Sequence, residues 1–115
     1  MVSIKEIIDH LNLKVYATGK EASIDKGYTG DLLSLVIGSA PSGALWITVQ
    51  RHVNIVAVAA LKEIPAIVIA QELLPEEDVM KKAEEEGIWL LGSPDDAFTL
   101  SGKIFQLLQG GKIPR

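Results

Sequence analysis

Short apolar runs alternate with segments of helical pattern through the second half of the chain. The runs cover residues 45–49, 66–70 and 88–91. Leu45, Ile67 and Trp89 are spaced 22 residues apart, so the successive units have the same length. Continuous apolar strands separated by helices are typical of a parallel sheet that is covered on both faces and joined by right-handed crossovers.

An amphipathic helix is predicted ahead of these units. Its apolar positions follow the i, i+3, i+4, i+7 spacing and are Ile4, Ile7, Ile8 and Leu11. Ser3 can cap the amino end of this helix, and Asn12 is suited to its carboxyl end. We therefore expect an α/β fold with a three-layer, open and mostly parallel sheet, built from consecutive short βα units after an N-terminal helix.

The segment between the first helix and the regular units is less periodic. Residues 13–17 predict a short strand, residues 18–26 a polar connection, and residues 27–31 a second short strand or a turn. A helix over residues 32–39 is expected to stop before Pro41, because proline cannot continue a helix.

Two further helices have clear signals at their ends. One opens with Pro75 and the acidic residues 76–78 and ends at Gly87. The last helix opens with the capping segment 93–96. Its apolar residues at helical spacing are Ala97, Leu100, Ile104, Phe105 and Leu108. Residues 110–115 are expected to form a frayed tail.

The helix predicted at residues 55–61 is apolar on every face, so it must be covered on all sides. We expect one side to pack on the sheet and the other to form a dimer interface, where small residues permit close approach. The predicted interface residues are Ile55, Val56, Ala57 and Ala60. The alternative is that the N-terminal helix of the same chain covers this helix.

The length of 115 residues predicts one domain over residues 1–115. Hydrophobic residues make up 48% of the chain, which is enough for a core without disulfides. The chain has no cysteine, which excludes thiolate nucleophiles, Cys-ligated zinc and Cys-held iron–sulfur clusters. Two histidines are too few for a three-His zinc site. We expect no metal site and no cofactor.

Charge and hydropathy narrow the range of partners. A net charge of −4 and a pI of about 5.1 argue against binding to nucleic acid. The longest apolar run, residues 55–61, is far short of the ~18 residues needed to cross a bilayer, so we expect no membrane association and a cytoplasmic location. A mean hydropathy of +0.26 is high for a small domain and favours a homodimer.

Polar residues come directly after the apolar runs at the place where a ligand site is expected, because ligands bind beyond the carboxyl ends of strands in an open parallel sheet. The residues predicted to bind there are Asp31, Thr48, Gln50, Arg51, His52, Asn54, Gln71 and Ser93. Free N–H groups at a helix start favour an anion, so we expect a small anionic ligand such as a nucleotide or a phosphorylated metabolite. In the alternative, Thr48 or Asn54 caps the next helix and Arg51 is solvated. For Asp31, the alternative is that it caps the helix over residues 32–39.

The common short catalytic signatures are absent: the chain has no phosphate loop of the Walker type, no GxGxxG, no GxSxG and no HExxH. His52 could act as a general base only with a carboxylate beside it, and the acids that the fold could bring near are Asp31, Glu72 and Asp95. The acidic residues 76–78 and 84–86 lie along one predicted helix and are interpreted as a solvated face.

Three segments succeed one another in an order that is typical of a known family. They are Gly-Tyr-Thr-Gly-Asp-Leu-Leu-Ser at 27–34, Leu-Trp-Ile-Thr-Val-Gln at 45–50 and His-Val-Asn-Ile-Val-Ala-Val-Ala at 52–59. With them the chain resembles the DRTGG domain family over nearly its whole length. Such domains occur in CBS-containing pyrophosphatases and phosphotransacetylases, resemble the N-terminal domain of HPr kinase/phosphorylase, and also occur as short stand-alone proteins, some encoded near iron-only hydrogenases. The resemblance implies a dimerising regulatory α/β module without catalytic activity.

The signature that names the family falls on two predicted strand ends. Its Asp-Arg part corresponds to Arg51 and His52, and its Thr-Gly-Gly part corresponds to Ala70, Gln71 and Glu72. None of the five residues matches, and bulkier side chains stand where the family has glycines.

Three functions are compatible with these observations. The first is a non-catalytic, homodimeric regulatory or accessory domain that binds a small anionic ligand at the carboxyl ends of the parallel strands. The second is a protein–protein adaptor of a redox system, associated with iron-only hydrogenase, or of a kinase system, with no small ligand. The third is a small transferase with His52 as its base.

Overall fold

The computed structural model describes residues 1–110 and contains a five-stranded sheet with helices on both faces. Strands β1 to β7 are Val2–Ser3, Lys14–Ala17, Ser23–Ile24, Gly27–Thr29, Leu45–Thr48, Ala66–Ile69 and Trp89–Gly92. Helices α1 to α5 are Ile4–Leu11, Leu33–Ser39, Asn54–Leu61, Glu77–Glu86 and Ala97–Leu108. The α/β class expected from the sequence is confirmed.

The large sheet has the strand order β2-β7-β6-β5-β4. Strands β4, β5, β6 and β7 are parallel, and β2 pairs antiparallel with β7. The evenly spaced units of the sequence are β5-α3, β6-α4 and β7-α5. Because β2 runs in the opposite direction, its amino end lies at the same edge as the carboxyl ends of its parallel neighbours.

Both faces of the sheet are buried, which explains why its central strands are continuously apolar. Trp46, Ile67 and Leu90 face the layer of α2, α3 and α4. Their neighbours along the strands face α1 and α5 and include Leu45, Ile47, Val68 and Leu91. Successive residues of a strand point to opposite faces, so each central strand contributes to both halves of the core.

Both ends of α1, the end of α4 and the start of α5 agree with the sequence signals. The hydroxyl of Ser3 accepts a hydrogen bond from a backbone N–H in the first turn of α1 at 3.1 Å, and Asn12 ends this helix with a left-handed backbone (φ 51°). Asp96 accepts from the backbone N–H of Thr99 at 2.7 Å at the start of α5. Gly87 ends α4 at φ 69°. These predictions are confirmed.

The segment predicted as a polar connection contains a strand. Within residues 18–26, β3 pairs antiparallel with β1, and Val2 lies opposite Ile24. Ile24 is fully buried. A strand of two residues is too short to show periodicity, so the sequence pattern missed it. The predicted tail lies outside the described residues except for Gly110, and no helix within residues 1–110 is long and apolar enough to cross a membrane.

Helix α3 packs between α2 and α4, on the face of the sheet opposite to α1. Ile55 and Val56 are fully buried by the chain's own core. Their assignment to a dimer interface is therefore wrong, because no surface of these side chains is free to meet a partner. The alternative cover by the N-terminal helix is also wrong, since that helix lies on the other face. Ala57 and Ala60 are exposed.

Candidate functional site

The carboxyl ends of β6 and β7 and the amino end of β2 surround a cavity of about 210 Å³. Its lining residues are Asn12, Lys14, Tyr16, Glu72, Leu74, Gly92, Ser93 and Pro94. The cavity thus lies at the sheet edge where open α/β sheets bind their ligands.

Lys14 and Tyr16 on β2 give the cavity a cation and an aromatic ring. The ammonium nitrogen of Lys14 lies 5.3 Å from the centroid of the Tyr16 ring, within the range of a cation–π contact. The ring crosses the end of β7 at Gly92, where a Cβ atom would lie 2.6 Å from Cε2 of Tyr16. Glycine at this position is what allows the ring to cover the strand end.

The turn after β6 is fastened to the loop after β7 through the backbone. The N–H of Gln71 donates to the carbonyl of Asp95, and the N–H of Glu72 donates to the carbonyl of Ser93, both at 2.8 Å. Gln71 and Glu72 have left-handed backbones, with φ of 62° and 58°. This conformation is unfavourable for residues other than glycine, because their Cβ atom crowds the backbone. These are the two positions that the resemblance described above aligns with the glycines of the DRTGG signature.

A second group of predicted site residues bonds internally at the end of β5. The hydroxyl of Thr48 donates to Oδ1 of Asp31 at 2.8 Å, and the backbone N–H of Gln50 donates to the Thr48 hydroxyl at 3.1 Å. The side-chain amide of Gln50 donates to the carbonyl of Asp31 at 2.9 Å. Asp31 therefore ties the loop before α2 to β5. It does not cap α2, because the residue before that helix is Leu32, which makes no side-chain cap hydrogen bond.

Arg51 and His52 fasten the start of α3 to the segment before α4. Nε of Arg51 donates to the carbonyl of Leu74, and the N–H of Glu76 donates to the carbonyl of Arg51 at 3.2 Å. Nδ1 of His52 lies 2.8 Å from Oε2 of Glu76. The carboxylate beside His52 is thus Glu76, which was not among the three acids suggested by the sequence.

The pair of His52 and Glu76 does not form an enclosed catalytic site. Their side chains are 64% and 45% exposed, and neither lines the cavity. General-base chemistry gains from the exclusion of water, which this open position does not provide. The residue before α3 is Val53, and no side chain caps this helix, so the interpretation of Thr48 or Asn54 as its cap is wrong.

Of the eight predicted site residues, Ser93 alone lines the cavity. Its hydroxyl accepts from the backbone N–H of Asp95 at 3.1 Å. Gln71 neighbours the cavity through the turn that contains Glu72, and Asn54 is exposed in the first turn of α3. The sequence did not point to Asn12, Lys14 and Tyr16, because site residues were expected only after the carboxyl end of each strand, whereas β2 reaches this edge with its amino end.

No group of three or more His, Asp or Glu side chains in residues 1–110 could hold a metal ion. The acidic side chains of α4 are exposed along the helix, as expected for a solvated face.

Comparison with solved structures finds a similar fold in the crystal structure of the CBS and DRTGG domains of the regulatory region of Clostridium perfringens pyrophosphatase, complexed with the activator diadenosine tetraphosphate. The TM-score is 0.73 and the sequence identity 18%, and the match covers 91% of this chain and 46% of that chain. The chain thus spans about half the length of this structure, and the similarity supports a DRTGG-related fold. No family model and no curated protein matches the sequence.

Proposed function

We propose that the chain is a non-catalytic, cytoplasmic regulatory domain that works as a homodimer and binds a small anionic ligand. The observation that carries this proposal is the cavity at the carboxyl ends of the parallel strands, with Lys14 among its lining residues and its ammonium nitrogen 5.3 Å from the centroid of the Tyr16 ring. A regulatory region of similar fold that is complexed with a nucleotide activator supports the same kind of role here.

The cavity lining indicates the chemistry of the ligand. Lys14 favours a phosphate or a carboxylate, and the ring of Tyr16 offers a flat surface to a planar group. The carboxylate of Glu72 favours a hydrogen-bond donor on the same ligand, such as an exocyclic amine. A volume of about 210 Å³ is below the ~300 Å³ at which drug-sized pockets begin, so the ligand is a small metabolite or one end of a nucleotide.

The bonds of Arg51 and His52 give ligand binding a route to the rest of the domain. A ligand that contacts Glu72 and Leu74 acts on the segment that Arg51 and His52 hold against the start of α3. Movement of this segment changes the contacts of α3, which packs against both α2 and α4. Arg51 and His52 are therefore positioning residues in this proposal.

A thermal-shift screen with nucleotides, phosphorylated metabolites and carboxylates tests the proposal. A ligand that binds the folded state raises Tm by mass action. We expect Lys14→Met to abolish the shift caused by an anionic hit, because the cation in the cavity wall is lost. Lys5→Met, which removes an exposed lysine of α1, should keep the shift.

Two results would contradict the proposal. A screen without hits would favour the adaptor function, in which the domain binds a protein and no small ligand. A hit whose shift is kept by Lys14→Met but lost in the double variant His52→Ala and Asn54→Ala would move the ligand to the start of α3.

A further inference from the structure

A larger cavity of about 400 Å³ lies on the side of the sheet away from β2, between the outermost strand β4 and helix α5. Its lining residues are Gly27, Thr29, Ile47, Phe98, Ser101, Gly102, Ile104, Phe105 and Leu108. None of these nine side chains is charged. We call this cavity and its rim the β4–α5 groove.

Helix α5 exposes a stripe of large apolar side chains along this groove. Phe98 and Phe105, two turns apart, are 89% and 53% exposed. Leu100 and Ile104, on the inner side of the same helix, are buried against the sheet. Gly102 lies between the two aromatic residues, and a Cβ atom there would meet nothing within 4 Å. The helix therefore presents a projecting aromatic ring beside an open hollow.

The backbone of β4 extends the same surface. Among the strands of residues 1–110, β4 pairs with β5 alone, so its outer edge is open. Natural proteins commonly shield such an edge with a charge or a proline, and Gly27–Thr29 contains neither. The hydroxyls of Thr29 and Ser101 are hydrogen-bonded at 2.7 Å, which joins the edge strand to α5.

We propose that a second copy of the chain covers the β4–α5 groove in a two-fold symmetric dimer, in which Phe98 of each copy enters the groove of the other. A two-fold interface must be complementary to itself, so it needs a projection and a hollow on one surface. The groove has both. Two chains of net charge −4 repel each other, and a groove whose lining has no charged side chain does not bring like charges together at the centre of the interface.

The exposed area of the two phenylalanines is a sizeable part of the area that a stable dimer interface buries. At ~200 Å² per ring residue, the exposed fractions of Phe98 and Phe105 correspond to about 280 Å². A stable interface buries about 800 Å² per partner, so the two rings supply about a third of it. The open edge of β4 and the polar rim supply the remainder, in the usual arrangement of an apolar centre and a polar border.

This inference deepens the proposed function, because it gives the homodimer its contact surface, and it depends on that function only for the existence of the dimer. Its test is sedimentation of the full chain over a range of concentrations. We expect the wild-type protein to dimerise and Phe98→Glu to raise the dimer dissociation constant at least about thirtyfold, as for a hot-spot residue.

Two further variants control the experiment. Leu61→Glu changes a 68% exposed leucine on α3, the helix to which the sequence assigned the interface, and should leave the dimer intact. Gly102→Leu fills the hollow with the chain's own side chain and should weaken the dimer, while its helical position tolerates leucine well. Circular dichroism checks that each variant is folded.

The outcomes separate this inference from the ligand proposal. A wild-type protein that stays monomeric at all concentrations would overturn the dimer and its surface together. A dimer that Leu61→Glu dissociates and Phe98→Glu does not would overturn the groove and restore α3 as the interface. Loss of ligand-induced stabilisation in Lys14→Met has no bearing on sedimentation, so either proposal can fail alone.

Discussion

Asp31 holds the end of β5 through one carboxylate oxygen. Oδ1 accepts hydrogen bonds from the hydroxyl of Thr48 and from the backbone N–H of Val49, both at 2.8 Å. Thr48 is 1% exposed, so its hydroxyl cannot exchange this acceptor for water. A buried donor that loses its partner retains the full cost of desolvation. The side chain that the sequence suggested as a ligand contact therefore stabilises the fold.

We expect Asp31→Ala to lower the free energy of unfolding by about 1–3 kcal/mol, because it leaves the Thr48 hydroxyl without this acceptor. Urea denaturation at pH 7 measures the change. Asp25→Ala is the matched control, since Asp25 is half-exposed and its 3.6 Å ion pair with Lys26 is worth less than about 1 kcal/mol. Equal losses in the two variants would show that Asp31 acts only as a surface charge.

The left-handed backbones of Gln71 and Glu72 allow a second test at single positions. We expect Gln71→Gly to raise the free energy of unfolding by up to about 1 kcal/mol, because glycine adopts a positive φ without steric cost. Lys82→Gly, inside α4, should lower it by about 0.5–1 kcal/mol. Thermal melts of both variants give the signs, and a destabilised Gln71→Gly would mean that the glutamine side chain contributes more than its backbone costs.

Among the helices and strands, the helices whose ends carry capping residues could be predicted from the sequence. Asp96 caps helix α5, and its carboxylate accepts from the N–H of Thr99. The start of this helix could be located from the sequence because capping is a local interaction. Strands β1 and β3 have no comparable signal, since two residues show no alternation and their pairing joins Val2 to Ile24 across a whole helix and strand. Local chemistry can be read from a sequence, whereas pairing over a distance depends on the rest of the fold.

The cap of α5 makes part of the stability dependent on pH. The hydrogen bond from the backbone N–H of Thr99, with help from the Thr99 side chain, holds the pKa of Asp96 below its usual range. A carboxyl group whose pKa is lower in the folded state stabilises above its unfolded pKa, and the contribution is lost as the pH falls through the folded value.

We expect Asp96→Asn to keep the cap but to lose this pH dependence, because asparagine caps helices without a charge. The Tm of the wild-type protein should exceed that of the variant at pH 7, and the two should converge as the pH falls below about 4. Asp96→Ala should have a lower Tm than both at pH 7. Parallel curves for the wild type and Asp96→Asn from pH 7 down to pH 2 would contradict the role of the charge.

For the molecule as a whole, the layers could be predicted from the sequence but the direction of one strand could not. Three evenly spaced apolar runs predict a parallel sheet, and in the structure they form the parallel strands β5, β6 and β7. Nothing local indicates that β2 runs antiparallel beside β7, because its partner lies far along the chain. That direction brings Lys14 and Tyr16 to the carboxyl ends of the parallel strands, which is why the cavity there could not be predicted in full.

The pairing of β2 with β7 also has a consequence during synthesis on the ribosome. Val15 lies opposite Leu91, roughly 75 residues later in the chain. At ~5–20 residues per second, β2 waits about 4–15 s for its partner strand to be made. Helix α1 and the pairings of β4, β5 and β6 can form earlier from contacts closer in the chain. The wall of Lys14 and Tyr16 therefore closes late, and a nascent chain acquires the cavity beside β2 only when translation has passed β7.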